Sequence, residues 1–253
     1  MTRIVALFSC GVPSAVATKL ALAKYGDRVV IVRNVIASEH PDNDRFARDC
    51  AAWFGQSIVE ICSDQYTDHW QVMEARKYIS SLAGAPCTLE LKQIPRLQFQ
   101  EPGDLFILGY TADPKDAARA ARGRARPNPL NMETPLIDNG LMRSDCLAII
   151  DRAGIQIPAM YFLKFENNNC IGCAKATSPT YWNRTRRHFP EAFDRMAVLQ
   201  RKLDYSQIRV NGEPVFLDEL DPLAGRDDKE PDIECSLFCH LAEDEITDAE
   251  MRK

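Results

Sequence analysis

The chain has 253 residues, of which 45% are hydrophobic and 26% charged, and its formal net charge is −5 at pH 7. These values are ordinary for a globular protein, and the acidic balance excludes a basic nucleic-acid footprint over the whole surface. The N-terminus has no signal-peptide pattern and no apolar run approaches the ~20 residues of a membrane span, so we expect a cytoplasmic protein without a membrane partner.

The first half of the sequence alternates strand-like and helix-like segments. Continuous apolar runs such as Val29-Val30-Ile31-Val32 and Leu105-Phe106-Ile107-Leu108 are typical of strands covered on both faces. Alternating units of this kind predict an α/β fold with a doubly wound parallel sheet, whose ligand site lies at the carboxyl ends of the strands. We predict strands near 3–8, 28–35, 57–62 and 104–109, and helices near 14–25, 42–54, 67–77, 88–99 and 113–123.

The pattern changes after about residue 127, where prolines and glycines predict loops or one further short strand. Helices are expected near 144–153 and 174–204, the second broken around Phe189-Pro190, and Asn211-Gly212 predicts a hairpin. An acidic stretch with Pro and Gly over 218–232 indicates a loosely packed connector. We therefore expect an α/β domain over 1–140 and a mostly helical, cysteine-bearing C-terminal region over 141–253.

The turn Ser9-Cys10-Gly11-Val12-Pro13-Ser14, called the opening turn below, joins the first predicted strand to the first helix. A helix N-terminus after a tight turn presents backbone N–H groups and attracts anions, and Ser9 and Ser14 add hydroxyl donors. Gly11 permits close approach of a ligand to the backbone. An ordinary serine-capped turn explains the same residues, and spacing alone leaves both interpretations open.

Nine cysteines in a protein of the reducing cytoplasm argue against a disulfide framework. Cys50, Cys62 and Cys146 lie in apolar segments, where we expect small buried core residues. Cys10 belongs to the opening turn, and the remaining five lie beside polar or turn residues as two close pairs and one single cysteine: Cys170 and Cys173, Cys235 and Cys239, and Cys87.

A Cys-x-x-Cys turn places two sulfurs within reach of one metal or cluster, so Cys170 and Cys173 are candidate ligands. The pair Cys235 and Cys239 would complete a four-thiolate set; alternatively Cys87 joins Cys170 and Cys173. Reduced thiols, with Cys170 and Cys173 as a redox pair, are the remaining interpretation.

Two basic segments have both an ordinary and a functional interpretation. A cluster of cations between residues 115 and 126 is either a solvated face or a clamp for phosphate or sulfonate, and Arg119 and Arg122 share a helix face. Arg184, Arg186 and Arg187 follow Tyr181-Trp182. This combination either binds single-stranded nucleic acid by stacking and charge, or packs its aromatic rings in the protein and leaves its charges in solvent.

Several motifs in this order resemble one family. The opening turn resembles the pyrophosphate loop Ser-Gly-Gly-x-Asp-Ser of adenine-nucleotide α-hydrolases, with Cys10 in place of the first glycine and Pro13 in place of the aspartate. The chain is similar to phosphoadenosine phosphosulfate (PAPS) reductase-like proteins of the PP-loop superfamily, especially phage and prophage members. The further matching segments are Ser38–Asn43, Ala85–Lys92 with Pro95, Gly109–Asp113 with Arg119 and Arg122, and Asn167–Cys173.

The resemblance implies a PP-loop, HUP-like fold over 1–140 that binds an adenine nucleotide, either PAPS or ATP. The residues it assigns to the nucleotide are Ser9, Gly11, Ser14, Ser38, Lys92, Thr111, Arg119 and Arg122. It also implies a four-iron cluster, with zinc as the alternative because both metals accept four thiolates. The metal ligands would be Cys170 and Cys173 with Cys87 and a cysteine of the Cys235/Cys239 pair.

Two catalytic cysteines follow from the same resemblance, Cys87 and Cys235. Cys235 lies in a segment like the tail of cluster-free reductases, where a cysteine attacks a sulfonate sulfur. Cys235 cannot be both this nucleophile and a metal ligand. Besides the nucleotide, the expected partners are a reductant or sulfur-donor protein, a second copy in a homodimer, and nucleic acid, which the net charge does not favour.

Two classes of function stay open at this point. The first is an enzyme, either a sulfonucleotide reductase or an ATP-dependent thiolase of tRNA or DNA. The second is a nucleotide-binding, metal-stabilised module that kept the fold and lost catalysis, which Pro13 in place of the aspartate favours.

Overall fold

A parallel five-stranded sheet lies at the centre of the computed structural model, which describes residues 2–81, 84–226 and 237–251. All four neighbouring pairs of strands are parallel. The α/β fold with a parallel sheet is therefore confirmed, and four strands lie where the apolar runs predict them. In chain order the strands are β1 (Ile4–Leu7), β2 (Val29–Asn34), β3 (Ile58–Ile61), β4 (Leu105–Ile107) and β5 (Met132–Glu133).

Helices follow most strands and dominate the C-terminal region. They are α1 (Val12–Tyr25), α2 (Asp42–Phe54), α3 (His69–Arg76), α4 (Pro86–Thr88), α5 (Ile94–Phe99), α6 (Pro114–Arg124), α7 (Pro135–Asp138), α8 (Arg143–Arg152), α9 (Ala159–Phe162), α10 (Pro179–His188), α11 (Pro190–Leu203) and α12 (Leu237–Met251). A small hairpin of β6 (Arg209–Val210) and β7 (Glu213–Pro214) precedes α12, as Asn211-Gly212 predicts. No helix among the described residues is long and apolar enough to cross a membrane.

The predicted helix over 88–99 is instead three pieces, because a π-helical turn, Leu89–Gln93, separates α4 from α5. Pro95 lies in the first turn of α5 and has no N–H to continue the preceding ladder of hydrogen bonds, so the helix is interrupted before it. Lys92, one of the predicted nucleotide residues, lies on this turn.

Two hydrophobic cores hold the molecule together, and each includes residues from both sides of residue 140. In the first, β1 and α1 pack with α8 and α12. In the second, Trp70 and Met73 of α3 pack with Trp182 of α10 and Phe193 of α11. The C-terminal region thus packs directly on the sheet half, and the boundary at 140/141 stays a prediction.

Cys50 and Cys146 are buried in the first core, as expected, but Cys62 is exposed, so its core assignment is wrong. Cys62 follows β3, which is an edge strand and is only partly covered. An apolar run on an edge strand does not bury every member of the run.

The strand order is β3-β2-β1-β4-β5, so the chain winds outward from β1 in one direction through β3 and in the other through β4. Sheets with this order bind ligands in the crevice at the carboxyl ends of the two central strands. Here those ends are the opening turn after β1 and Gly109 after β4.

Candidate functional site

The backbone of the opening turn is left-handed at Cys10, where φ is +54°. This conformation is costly for a residue with a Cβ, which accounts for the glycine that the resembled loop has at this position. Cys10 is buried, and its thiol donates a hydrogen bond of 3.7 Å to the carbonyl oxygen of Asn43. Gly11, by contrast, has a φ of −93°, and a Cβ there would make only ordinary contacts.

Ser14 braces the turn from inside. Its hydroxyl donates to the Gly11 carbonyl at 2.7 Å and accepts from the Ser9 N–H at 3.1 Å and the Ser9 hydroxyl at 3.2 Å. Ser14 is buried and shapes the turn, whereas Ser9 is exposed.

Gly109 brings the end of β4 against the opening turn. A Cβ at Gly109 would lie 2.7 Å from the Cα of Ser14 and 2.8 Å from its backbone nitrogen. Contacts this short would force the two segments apart, so only glycine permits this approach. The sequence motif located Gly109 but gave no sign of this packing role.

A cavity of about 410 Å³ lies at this crevice. We call it the nucleotide cavity; five of the eight predicted nucleotide residues line it, namely Ser9, Gly11, Ser14, Lys92 and Arg119. Asn34 and Asn168 also line it, and the side-chain oxygen of each is buried and has no hydrogen-bond partner among the described residues.

The other three predicted residues do not line the nucleotide cavity. Thr111 is fully buried, and its hydroxyl donates to Asp113 at 2.7 Å. Arg122 is exposed on α6, away from the described cavities. Ser38 lies beside the cysteines, where its hydroxyl is 2.6 Å from Nδ1 of His69.

A second cavity, of about 200 Å³, adjoins the first and is lined by Cys87, Cys170 and Cys173. We call it the cysteine cavity. Thus the structure brings together three cysteines that are more than eighty residues apart in sequence at their extremes. Four residues line both cavities: Lys92, Arg119, Asn167 and Asn169.

The Cys170–Cys173 turn is held by contacts from distant segments. The Tyr181 hydroxyl accepts from the Cys173 N–H at 2.8 Å and donates to the Cys170 carbonyl at 3.2 Å. Nε2 of His69 donates to the Gly172 carbonyl at 3.0 Å. Sequence reasoning missed Tyr181 and assigned no role to His69, since neither shows a local motif.

Burial and the neighbouring charges shift the pKa values of the cysteines and of Lys92 in opposite directions. Burial raises the pKa of Cys170 to about 12, although the nearby Lys92 ammonium acts in the opposite direction. Burial also raises the pKa of Cys87. For Lys92, burial disfavours the charged form, but Cys170 and Glu39 outweigh it and raise the pKa. Lys92 is therefore a cation positioned to stabilise a thiolate in this cavity.

The described residues do not by themselves form a metal site. Among the residues that the structure describes, no group of three or more His, Cys, Asp or Glu side chains is arranged to hold a metal ion. Cys235 lies outside the described residues, and the backbone of Cys239 belongs to α12, which packs on α1 and α8. The four-thiolate site thus stays a prediction.

Comparison with known proteins gives no assignment: no protein-family model matches the chain, and no curated protein is significantly similar to it. The two adjoining cavities and the motifs that line them are therefore the basis for a functional proposal.

Proposed function

We propose that the protein is an adenine-nucleotide-binding enzyme of sulfur metabolism, a PP-loop relative that resembles PAPS reductase. The proposal rests on the junction of the nucleotide cavity with the cysteine cavity, where Lys92 and Arg119 line both. A nucleotide whose phosphates contact the opening turn would bring its sulfonate or phosphate end beside three thiols.

Three features support the nucleotide. The cavity volume of about 410 Å³ is in the range of small-ligand pockets, about 300–1,000 Å³. The 14-residue helix α1 begins at the opening turn and directs its positive end toward bound anions. The unpartnered oxygens of Asn34 and Asn168 suit the amino and hydroxyl groups that a nucleoside offers.

In the proposed reductase reaction, a cysteine thiolate attacks the sulfonate sulfur of PAPS, and the sulfur–oxygen bond to the phosphate breaks. The nucleotide leaves with the bonding electron pair on its phosphate oxygen, and the cysteine carries a thiosulfonate. One thiol of a dithiol donor then attacks the cysteine sulfur and expels sulfite. The second thiol displaces the cysteine, so the donor ends as a disulfide and the enzyme regains its thiol.

Cys87 and Cys235 are the proposed nucleophiles. Cys87 lines the cysteine cavity and Lys92 favours its ionised form, against the effect of burial. If a cluster occupies Cys87, Cys170 and Cys173, the nucleophile must be Cys235, because a ligating thiolate cannot also attack.

A reductase is favoured over an ATP-dependent thiolase by the carboxylates of the nucleotide cavity. Only Glu39 and Asp116 contribute carboxylates to its described lining. Glu39 accepts from the Asn43 amide at 3.0 Å, and Asp116 pairs with Arg119 at 3.2 Å. Pro13 lines the cavity where the resembled loop has the aspartate that assists ATP cleavage.

Two arginines on α6 give a matched test by calorimetric titration with PAPS and with ATP. Arg119 lines the nucleotide cavity, whereas Arg122, one turn later and also exposed, does not. Arg119→Ala should weaken PAPS binding about tenfold, or about 1.4 kcal/mol, while Arg122→Ala should bind close to wild type.

Failure of the wild-type protein to bind either nucleotide would refute the proposal, as would equal effects of the two arginine variants. Sulfite release from PAPS with a dithiol is the second measurement. PAPS binding without any sulfite release, in protein prepared without oxygen, would leave a binding module that has lost catalysis.

A further inference from the structure

Two further cavities, of about 370 and 630 Å³, adjoin the site. The smaller is lined by Cys173, which also lines the cysteine cavity, and the larger by Arg119. They share Lys115, Glu166 and Arg184, so they form one continuous depression, which we call the basic groove.

The charge of the groove is opposite to that of the whole chain, whose formal net charge is −5. Lys115, Lys164 and Lys175 take part in no ion pair among the described residues. Besides Arg119, the cations that line the groove are Lys115, Arg143, Lys164, Lys175, Arg184 and Arg226.

The carboxylates of the groove are fewer, and two are already engaged. Asp113 accepts from the Thr111 hydroxyl at 2.7 Å and from the Arg143 N–H at 3.0 Å. Asp116 pairs with Arg119 at 3.2 Å. Glu166 is the third carboxylate of the described lining, so the groove keeps a positive excess.

Cations in such number match phosphate groups, because arginine offers a planar fork and lysine a point charge. They come from α6, from the start of α8, from α10 and from loops on both sides of α10 in sequence, and so are spread along the groove and not gathered around one anion. Amide and hydroxyl side chains of Asn167, Asn169 and Ser178 lie among them and can bond base edges or sugars.

We propose that the basic groove binds a single-stranded nucleic acid, with backbone phosphates on its lysines and arginines and one nucleotide beside Cys173. The two cavities, of about 370 and 630 Å³, have the size of small-ligand pockets, so they admit the nucleotides of a single strand and not the width of a duplex. The proposal does not require the function assigned to the nucleotide cavity, although the linings of the two share Asp116, Arg119, Arg143 and Asn167.

The test is fluorescence anisotropy with labelled single strands of DNA and RNA about ten nucleotides long, without added nucleotide. The groove variant is Lys115→Glu with Lys175→Glu. Its control, Arg48→Glu with Lys202→Glu, changes the net charge equally at two exposed positions that line none of the described cavities.

Wild-type binding should weaken steeply between about 50 and 200 mM salt, as counterion release requires. The groove variant should lose at least about tenfold in affinity, with a salt slope shallower by about 1.4, whereas the control should retain most of the affinity. Saturating ATP should not displace the strand.

The proposal is overturned if the wild type binds no strand at the lowest salt, or if both double variants lose affinity equally. Tighter binding of a duplex of the same sequence would refute the single-strand assignment. Displacement of the strand by ATP would place it in the nucleotide cavity and not in the groove.

Discussion

The side-chain amide of Asn168 donates a hydrogen bond of 2.6 Å to the backbone carbonyl of Cys10, in the opening turn. The same amide donates to Oδ1 of Asn43 at 2.7 Å, and Asn43 in turn donates to Glu39 at 3.0 Å. Glu39 lies 3.9 Å from the Lys92 ammonium at the cysteine cavity. A line of mostly buried polar groups thus joins the turn that would hold phosphates to the thiols that would react.

Asn168→Ala should lower the free energy of unfolding by about 1–3 kcal/mol, because the Cys10 carbonyl and the Asn43 amide oxygen lose their donor inside the protein. Asn168 is 8% exposed, whereas its neighbour Asn169 is exposed. Urea unfolding of Asn168→Ala and of the control Asn169→Ala measures the difference. Equal stability of the two variants would contradict the bracing role.

Gly172→Ala should destabilise the Cys170–Cys173 turn for two reasons. The backbone there has a φ of +73°, and a Cβ would lie 2.9 Å from the ring of Trp70. Gly154 offers a control with nearly the same φ, +69°, and open space around its Cβ. Left-handed strain alone should cost Gly154→Ala about 1 kcal/mol, and Gly172→Ala should cost at least about 1 kcal/mol more.

Urea unfolding of the two glycine variants separates the cost of backbone strain from the cost of the contact with Trp70. A cost for Gly172→Ala no greater than that for Gly154→Ala would mean that Trp70 moves away without penalty. In that case the indole does not fix the conformation of the cysteine turn.

Four strands of the sheet could be predicted from the sequence because they lie in mainly apolar runs, a signal carried by neighbouring residues. Helix α2 could be placed at both ends, and Gly55, with a φ of +68°, terminates it as a left-handed C-cap. The cysteine cavity was only partly predictable. Cys-x-x-Cys is a local motif, but the braces from His69 and Tyr181 depend on contacts between segments far apart in sequence, which no local pattern reveals.

Local motifs also limit which of the predicted nucleotide residues could be placed at the cavity. The opening turn and Lys92 lie on short motifs and do line the nucleotide cavity. Spacing placed Arg119 and Arg122 on one helix face, yet only Arg119 lines a described cavity, because the sequence does not show where α6 meets the crevice.

His69 should make the protein lose stability in acid. Burial lowers the pKa of His69 to about 4 from its ordinary 6.5, with the Gly172 contact acting in the opposite direction. Below pH 6.5 His69 is protonated in the unfolded chain, but in the folded protein it stays neutral until about pH 4. The stability that neutral His69 contributes is therefore complete above pH 6.5 and is lost as the pH falls toward 4. The loss is about 3 kcal/mol at about 1.4 kcal/mol per pH unit.

Other groups also titrate in acid, so the measurement is the difference in unfolding free energy between wild type and His69→Gln across this range. That difference should shrink as the pH falls from 6.5 to 4. His188→Gln is the control: His188 is exposed, and although burial and the neighbouring Arg187 and Arg184 also lower its pKa, its profile should be flatter than that of the buried His69. A constant difference for His69→Gln would mean that folding does not lower the pKa of His69.

Metal content decides between ligands and redox thiols at the cysteine cavity. Burial raises the pKa of both Cys170 and Cys87, whereas the Lys92 ammonium acts in the opposite direction, so a further positive charge would favour their thiolates. A bound metal would supply that charge, and its binding would couple to folding. We therefore expect iron, or zinc as the alternative, in protein purified without oxygen, with a visible absorption band if the metal is a cluster.

Cys170→Ser should lose this metal and lower the stability of the protein, whereas Cys146→Ser should retain it, because Cys146 is buried in the first core among α1 and α8. Cys235→Ser and Cys239→Ser, compared with each other, identify the cysteine that completes the set. Metal analysis of the variants beside wild type gives the answer. Full metal content in Cys170→Ser, or none in folded wild type, would leave Cys170 and Cys173 as redox thiols and remove the cluster from the proposed chemistry.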